Sequence, residues 1–401
     1  MRHSVIGLVP DLICGFSQKS GIFWFSKALI ESLDQLESQA RFVLFVPRSE
    51  AVDFSHLSSR FTIVRIPRFF MGDFWNIIWH LAVLPCLARY HRVQVLHLFA
   101  GNRRLSLFPP RRTLVTVHDV YHFNQLKLYG LVRFLYFRIV ICGLLRRQVN
   151  LHAVSAATAA DLHQLLGIPT TSIHVIHNGC DRERFDHGDR QHPLADLVEA
   201  APRRPYFLYV SSLDHPRKNH VVLIRAYERV LQACPDAPSL VFVGPDFASP
   251  EVIHEAIRRS PAAHRLHSLG FVTDQQLGAL YRQAFAFVHA SCFEGFGYPL
   301  VEAMSFGLPV LCSDLSVFKE IAGDAPLYFD PRRSEDIAAK MLALITDGSL
   351  RQRCMAISLQ MARSDAQRSN APLILDLYER IDERQQRRRA RPGASLSVGL
   401  H

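Results

Sequence analysis

Apolar residues in this chain fall into short runs of about four to seven, set between longer stretches where they recur every three or four positions. The runs at 5–9, 42–47, 62–66, 93–99, 114–118 and 151–154 predict β-strands in the first half. Helical periodicity between them marks 21–38, 75–91, 129–147 and 156–166. A second series repeats the alternation, with strands at 206–211, 240–244, 266–270, 286–289, 310–312 and 327–329. Its helices lie near 219–233, 251–259, 274–283, 299–306 and 333–347. Many strand runs are apolar at consecutive positions, as parallel strands covered by helices on both faces must be. The pattern predicts an α/β protein of two doubly wound, Rossmann-like domains.

The stretch 181–204 is polar, contains proline and shows no periodicity, so it separates the two series. It divides the chain into a first domain at 1–190, a linker at 191–204 and a second domain at 205–365. The helical segment 366–385 is a candidate to cross back to the first domain, and the basic tail 386–401 is expected to be disordered. Domains of this kind would face each other across a cleft lined by the carboxyl ends of their strands, where open parallel sheets bind ligands.

With 401 residues, 49% hydrophobic and 20% charged, the chain can bury two cores of ordinary size. Its eight cysteines form neither a Cys-x-x-Cys pair nor a Cys/His cluster at zinc spacing. That usage points to a reducing, cytoplasmic compartment and to no structural metal. No uncharged stretch reaches the ~20 residues of a membrane span, and the opening residues read as a strand rather than a signal peptide.

The net charge of +10 is uneven. Residues 1–190 hold 22 Lys/Arg against 13 Asp/Glu, whereas 191–380 are slightly acidic. A basic first half suits an anionic partner such as a lipid phosphate, a membrane surface or nucleic acid, or it serves solubility alone. Phe69, Phe70, Phe74 and Trp75, with the helices at 75–91 and 129–147, prompt the expectation of peripheral contact with the inner face of a membrane. Ordinary core packing is the alternative for those aromatics.

Candidate chemistry concentrates at the ends of strands. Glu294 and Glu302 occur in the run Glu294-Gly-Phe-Gly-Tyr-Pro-Leu-Val-Glu302-Ala-Met, just after the strand at 286–289 and across the start of a helix. Gly295, Gly297 and Pro299 make the turn, so backbone N–H groups there can face an anion. Two carboxylates bracketing a phosphate cradle suit a ligand with hydroxyls at both ends. Three weaker signals accompany them. Arg217 and Lys218 precede a helix beyond the strand at 206–211, where adjacent cations can neutralise a diphosphate. His118 ends the strand at 114–118, and Gly21 opens the first helix, where backbone can approach a phosphate. Each alone is as well explained by a solvated turn or a structural histidine.

Taken together these segments resemble the family 4 retaining glycosyltransferases of the GT-B fold, over roughly residues 3–365. The run from Glu294 to Glu302 is similar to that family's paired-glutamate signature. His-Pro-Arg-Lys-Asn-His at 215–220, Val-Ile-His-Asn-Gly at 175–179, Ala-Val-Ser at 153–155 and Thr-Val-His-Asp at 116–119 support it. The form with Phe and Tyr between the glycines resembles bacterial mannosyl- and rhamnosyltransferases of surface polysaccharide assembly.

The resemblance implies transfer of a hexosyl group, mannose from a GDP-sugar foremost, to a glycan or polyprenyl-diphosphate-linked glycan acceptor, with no metal, no cofactor and no nucleic acid. Glu302 would hold the ribose hydroxyls and Glu294 a hydroxyl of the donor sugar. Lys218, Arg217, Gly21 and the backbone of Phe296, Gly297, Tyr298, Pro299 and Leu300 would hold the diphosphate. His118 would approach the donor sugar, and Val272 would lie near the base. One departure is Ser212, where many relatives carry an arginine; Arg217 is the candidate to replace that charge. A nucleotide-sugar epimerase of the same fold and a non-catalytic partner subunit are the alternatives. A dinucleotide dehydrogenase is disfavoured, because no Gly-x-Gly-x-x-Gly follows the first strand.

Overall fold

The computed structural model describes residues 4–10, 21–101, 104–121, 135–179, 183–185, 202, 205–362 and 370–390. The first part of the helix expected at 129–147, most of the stretch at 181–204, the loop before Gly21 and the end of the basic tail lie outside the described residues.

The chain forms two compact units, and each is built on its own parallel sheet. The first comprises Met1–Val154, Thr158–Ile176 and Ser369–His401. Its strands are β1 Val5–Val9, β2 Arg41–Pro47, β3 Phe61–Ile66, β4 Val95–Leu98, β5 Thr113–Val117, β6 Leu151–Ala153 and β7 Ile173–Val175, in the order β3-β2-β1-β4-β5-β6-β7. The second unit comprises Ser155–Ala157 and His177–Arg368. Its strands are β8 Tyr206–Val210, β9 Ser239–Val243, β10 Leu266–Ser268, β11 Ala286–His289, β12 Val310–Ser313 and β13 Leu327–Phe329, in the order β10-β9-β8-β11-β12-β13.

Strand β8 shows why the runs are continuous in hydrophobicity. Phe207 pairs with Leu240 on one side and Ala286 on the other, and all three side chains are fully buried. A parallel strand with neighbours on both edges and helices on both faces has no wet side on which to place polar residues.

Three features differ from the expectation. Strand β7 carries only Ile-His-Val, too short and too polar to stand out, yet it completes the first sheet by pairing with β6. The chain therefore enters the second unit at His177, before the polar stretch at 181–204. The helical tract at 75–91 is a helix Asp73–Ile78, a π-helical turn Trp79–Val83 and a helix Leu84–Tyr90. Pro85 lacks an N–H and its ring crowds the carbonyl four residues earlier, and the wider π turn relieves both problems. Helices Ser316–Ala322 and Gly348–Ala362 have no counterpart in the expected series, and the segment expected at 366–385 is the helix Ala371–Ala390. The last of these belongs to the first unit, where Asp382 accepts a hydrogen bond from Ser4 at 2.7 Å.

Candidate active site in the second unit

In the second unit the chain starts on β8, builds outward through β9 and β10, then returns to place β11 on the opposite edge of β8. The loops after β8 and β11 consequently diverge at the carboxyl ends of adjacent strands, the position where doubly wound sheets hold ligands.

The loop after β8 is fixed from both ends. Asn219 is left-handed at φ 59°, a conformation its short polar side chain tolerates. Its Nδ2 donates to the carbonyls of Ala290 at 3.0 Å and Pro331 at 2.7 Å. The Tyr209 hydroxyl donates to the Lys218 carbonyl at 2.6 Å, and the Cys292 amide donates to the Arg217 carbonyl at 2.9 Å. These bonds stitch the two loops together and set Lys218 Nζ 2.5 Å from Glu294 Oε1. The Nε2 of His289, the last residue of β11, lies 3.0 Å from the same oxygen.

Burial alone would raise the Glu294 carboxyl, but Lys218 and His289 outweigh it and hold the group well below the usual carboxylate range. Burial pushes the His289 imidazole down, against the pull of Glu294. The cluster is thus a buried carboxylate–ammonium pair with a neutral histidine donating to it. Among the described residues, both of these donors converge on Oε1.

Glu302 is held differently. Gly297 turns the chain at φ 98°, and a Cβ there would come within 2.6 Å of the Phe318 ring, so no other residue fits. Helix Tyr298–Ser305 follows, with Pro299 in its first turn. Glu302 is 4% exposed; Arg184 Nη2 donates to its Oε1 at 2.6 Å, and the Tyr281 hydroxyl to its Oε2 at 2.8 Å. Arg184 comes from the 3-10 turn Glu183–Phe185, anchored by Phe185 edge-on to Tyr281 and Phe306 at 5.9 and 5.5 Å. Tyr281 is carried by helix Asp274–Gln283, whose start is closed by a capping box between Thr273 and Gln276.

The other expected residues distribute as follows. Arg217 donates from Nε to Asp214 Oδ2 at 2.6 Å, so its charge is already matched by a carboxylate. Phe296 is buried beside Tyr298 at 5.4 Å between ring centres. Pro299 has no N–H, and the Leu300 amide bonds to the Gly297 carbonyl at 3.0 Å, which removes both from the backbone donors expected at this turn. Val272 is half-buried in the loop after β10. Gly21 and His118 belong to the first unit. Gly21 opens helix Gly21–Gln35, and His118 is 8% exposed, with Nε2 donating to the Phe99 carbonyl at 2.8 Å and Phe25 edge-on at 4.9 Å.

Three participants were missed in the sequence. His289 satisfied the strand-end rule that singled out His118, but twenty histidines diluted the signal. Arg184 lay in the polar stretch 181–204, which was read only as separating the two series. Tyr281 carried no local mark, because only the fold brings it from its helix to Glu302.

Residues 198–359 match the family model for glycosyl transferases group 1, and residues 21–184 match the model for Glycosyltransferase Family 4. The chain is 28% identical to the Escherichia coli O-antigen chain mannosyltransferase B over 253 residues, covering 63% of this chain and 66% of that protein. It is 26% identical to the Salmonella typhimurium O-antigen chain mannosyltransferase RfbU over 224 residues, covering 55% and 57%. The matched stretch thus spans about two thirds or less of these relatives' length. Among solved structures, sucrose-phosphate synthase from Thermosynechococcus elongatus superposes with a TM-score of 0.72 at 16% identity, covering 95% of this chain and 100% of that one. That likeness is one of fold, the two doubly wound sheets of GT-B. A Glycosyltransferase Family 4 model over the first half and a glycosyl transferases group 1 model over the second together cover most of the chain, as in a family 4 glycosyltransferase.

Proposed function

We propose that the protein is a retaining, metal-independent hexosyltransferase that moves mannose from GDP-mannose to a glycan or polyprenyl-diphosphate-linked glycan. The observation that carries this reading is the buried Lys218–Glu294 pair at the β8/β11 reversal, in a chain whose matched relatives are named as O-antigen mannosyltransferases. Lys218 supplies the positive charge that a departing diphosphate needs, while Arg217 stays paired with Asp214. Fixed donors of this kind are typically worth ~3–4 kcal/mol in a transition state.

In the reaction, an acceptor hydroxyl oxygen bonds to the anomeric carbon as the bond from that carbon to the diphosphate oxygen breaks. Attack from the face the leaving group vacates retains configuration, and the acceptor's proton passes to the departing phosphate oxygen. Glu294 holds a sugar hydroxyl through Oε2. Glu302 keeps a lone pair on each oxygen beside Arg184 and Tyr281, enough for the two ribose hydroxyls.

The working site is the cytoplasmic face of a membrane, reached peripherally. Among the described residues no helix is long and apolar enough to cross one. Phe69, Phe74 and Trp75 are 59%, 68% and 50% exposed, and Arg68 stands beside them in the basic half of the chain. Flotation with anionic vesicles at low salt checks this point, and protein left at the bottom of the gradient removes it.

A thermal-shift panel of GDP-, UDP- and TDP-sugars tests the donor. GDP-mannose should stabilise the protein, and Glu302→Gln should lose that stabilisation. Stabilisation by NAD and by no sugar nucleotide would overturn the reading.

A further inference from the structure

We propose that His289 is a positioning residue for the donor sugar, saturating Glu294 Oε1 so that Oε2 is the oxygen presented to a sugar hydroxyl. The inference rests on the role given to Glu294 above and adds a residue to it.

Lys218 alone cannot fix the carboxylate. An ammonium on a flexible stem is nearly a point charge and attracts either oxygen of a carboxylate equally well. A second donor on a rigid element is needed to choose between them, and His289 is such a donor. Its backbone is held in β11 by pairing with β12, and its ring is walled by Phe318 at 4.9 Å, Phe287 at 5.7 Å and Tyr209 at 5.7 Å. The side chain is 1% exposed, so neither solvent nor rotation offers it another partner.

The tautomer follows from the same surroundings. An ionised carboxylate only accepts hydrogen bonds, so Nε2 must carry the proton that faces Glu294. The opposite nitrogen, Nδ1, is buried with no hydrogen-bond partner. A proton on Nδ1 would therefore be an unsatisfied buried donor, and the neutral Nε2–H form is the one the site accepts. The arrangement is a single-purpose donor with no exchangeable proton of its own to give to substrate. That separates a positioning role from an acid–base one.

The test compares His289→Leu with His289→Gln, whose amide nitrogen reaches about as far as Nε2 and can still donate. GDP affinity is measured by calorimetry, and turnover as GDP released from GDP-mannose with water as acceptor. His289→Leu should lower kcat by about 10–100-fold with GDP affinity within about twofold of wild type, and His289→Gln should recover most of the loss. A nitrogen–proton spectrum should show an exchange-protected histidine Nε2–H signal that is lost in His289→Gln and displaced in Glu294→Gln.

If His289→Leu turns over at the wild-type rate while Glu294→Gln is inactive, the His289 role is wrong and that of Glu294 stands. If Glu294→Gln is itself fully active, the reading beneath it fails. Equal loss of activity and GDP affinity in both His289 variants would reduce the residue to a structural one and overturn the proposal.

Discussion

Each unit buries a cluster of polar side chains in its sheet, and the two clusters are built on opposite plans. In the first unit, His152 Nε2 donates to the Ile176 carbonyl at 2.8 Å, which leaves His152 Nδ1 to accept from the Thr116 hydroxyl at 2.9 Å. Thr116 in turn accepts from His97 Nε2 at 2.7 Å, and His97 Nδ1 accepts from the Tyr378 hydroxyl at 2.6 Å. Every direction is forced, every group is neutral, and both nitrogens of each ring are used. In the second unit a charged pair stands at the centre, and Lys218 and the neutral His289 crowd one oxygen of Glu294 while the other takes neither. A closed neutral chain has nothing left to offer a ligand. A charged pair with an open oxygen is expensive to bury and incomplete without one. The contrast sets a closed polar core apart from a candidate functional one without reference to position in the sequence.

Glu294→Gln should break the comparison most sharply. The substitution keeps the shape but removes the charge that Lys218 neutralises, and turnover of GDP-mannose should fall by about 10²–10³-fold. GDP binding, measured by calorimetry, should stay within a few-fold of wild type, because the nucleotide is assigned to Glu302 and Lys218. A variant that loses GDP affinity in proportion to turnover would make Glu294 act on the phosphates through Lys218 instead of on the sugar.

The strand series, the two sheets and the segment from Glu294 to Glu302 were legible in the sequence because each is written locally. A run of apolar residues is a strand wherever it sits, and glycines beside a proline are a turn. What holds the carboxylates was not legible. Arg184 and Tyr281 meet Glu302 across more than a hundred and about twenty positions of chain respectively, and no spacing rule spans such distances. The neutral relay was equally hidden. His97, Thr116, His152 and Tyr378 sit on three strands and the last helix, and nothing local distinguishes them from histidines and tyrosines at the surface. His118 drew notice by ending its strand, whereas His97 and His152, one strand to either side, are the fully buried pair.

Acid should act on the first cluster through those buried rings. Burial lowers His152 from its ordinary value to about 4, with the Ile176 hydrogen bond opposing the shift. Between that value and the ~6.5 of an unfolded chain, the unfolded state holds a proton that the native state refuses. The contribution to stability is therefore complete above about pH 6.5, drains as the pH falls, and is gone near pH 4. For this ring it amounts to about 3 kcal/mol. Urea unfolding at pH 7 and near pH 4.5 should show the loss in the wild-type protein, and His152→Gln should flatten the dependence. An unchanged slope in that variant would move the titrating group elsewhere, His97 first, since burial also holds it well below its ordinary value.

The smallest effect belongs to the last link of the relay. Tyr378→Phe removes one hydroxyl from helix Ala371–Ala390 and leaves His97 Nδ1 buried without a donor. The ring still packs edge-on against His97 at 5.5 Å, so apolar burial is retained and the cost is that of one unsatisfied acceptor, about 1–2 kcal/mol. If the relay is purely structural, the loss should appear as a lower urea midpoint with GDP affinity and turnover unchanged below the transition. It should also fade in the acid range, where His152 already contributes less. A Tyr378→Phe protein with native stability but altered turnover would contradict the contrast drawn between the clusters, because it would give the closed chain a part in the reaction. Protection of the Ala371–Ala390 amides from exchange supplies the finer reading: it should weaken around Tyr378 and stay unchanged in helix Tyr298–Ser305.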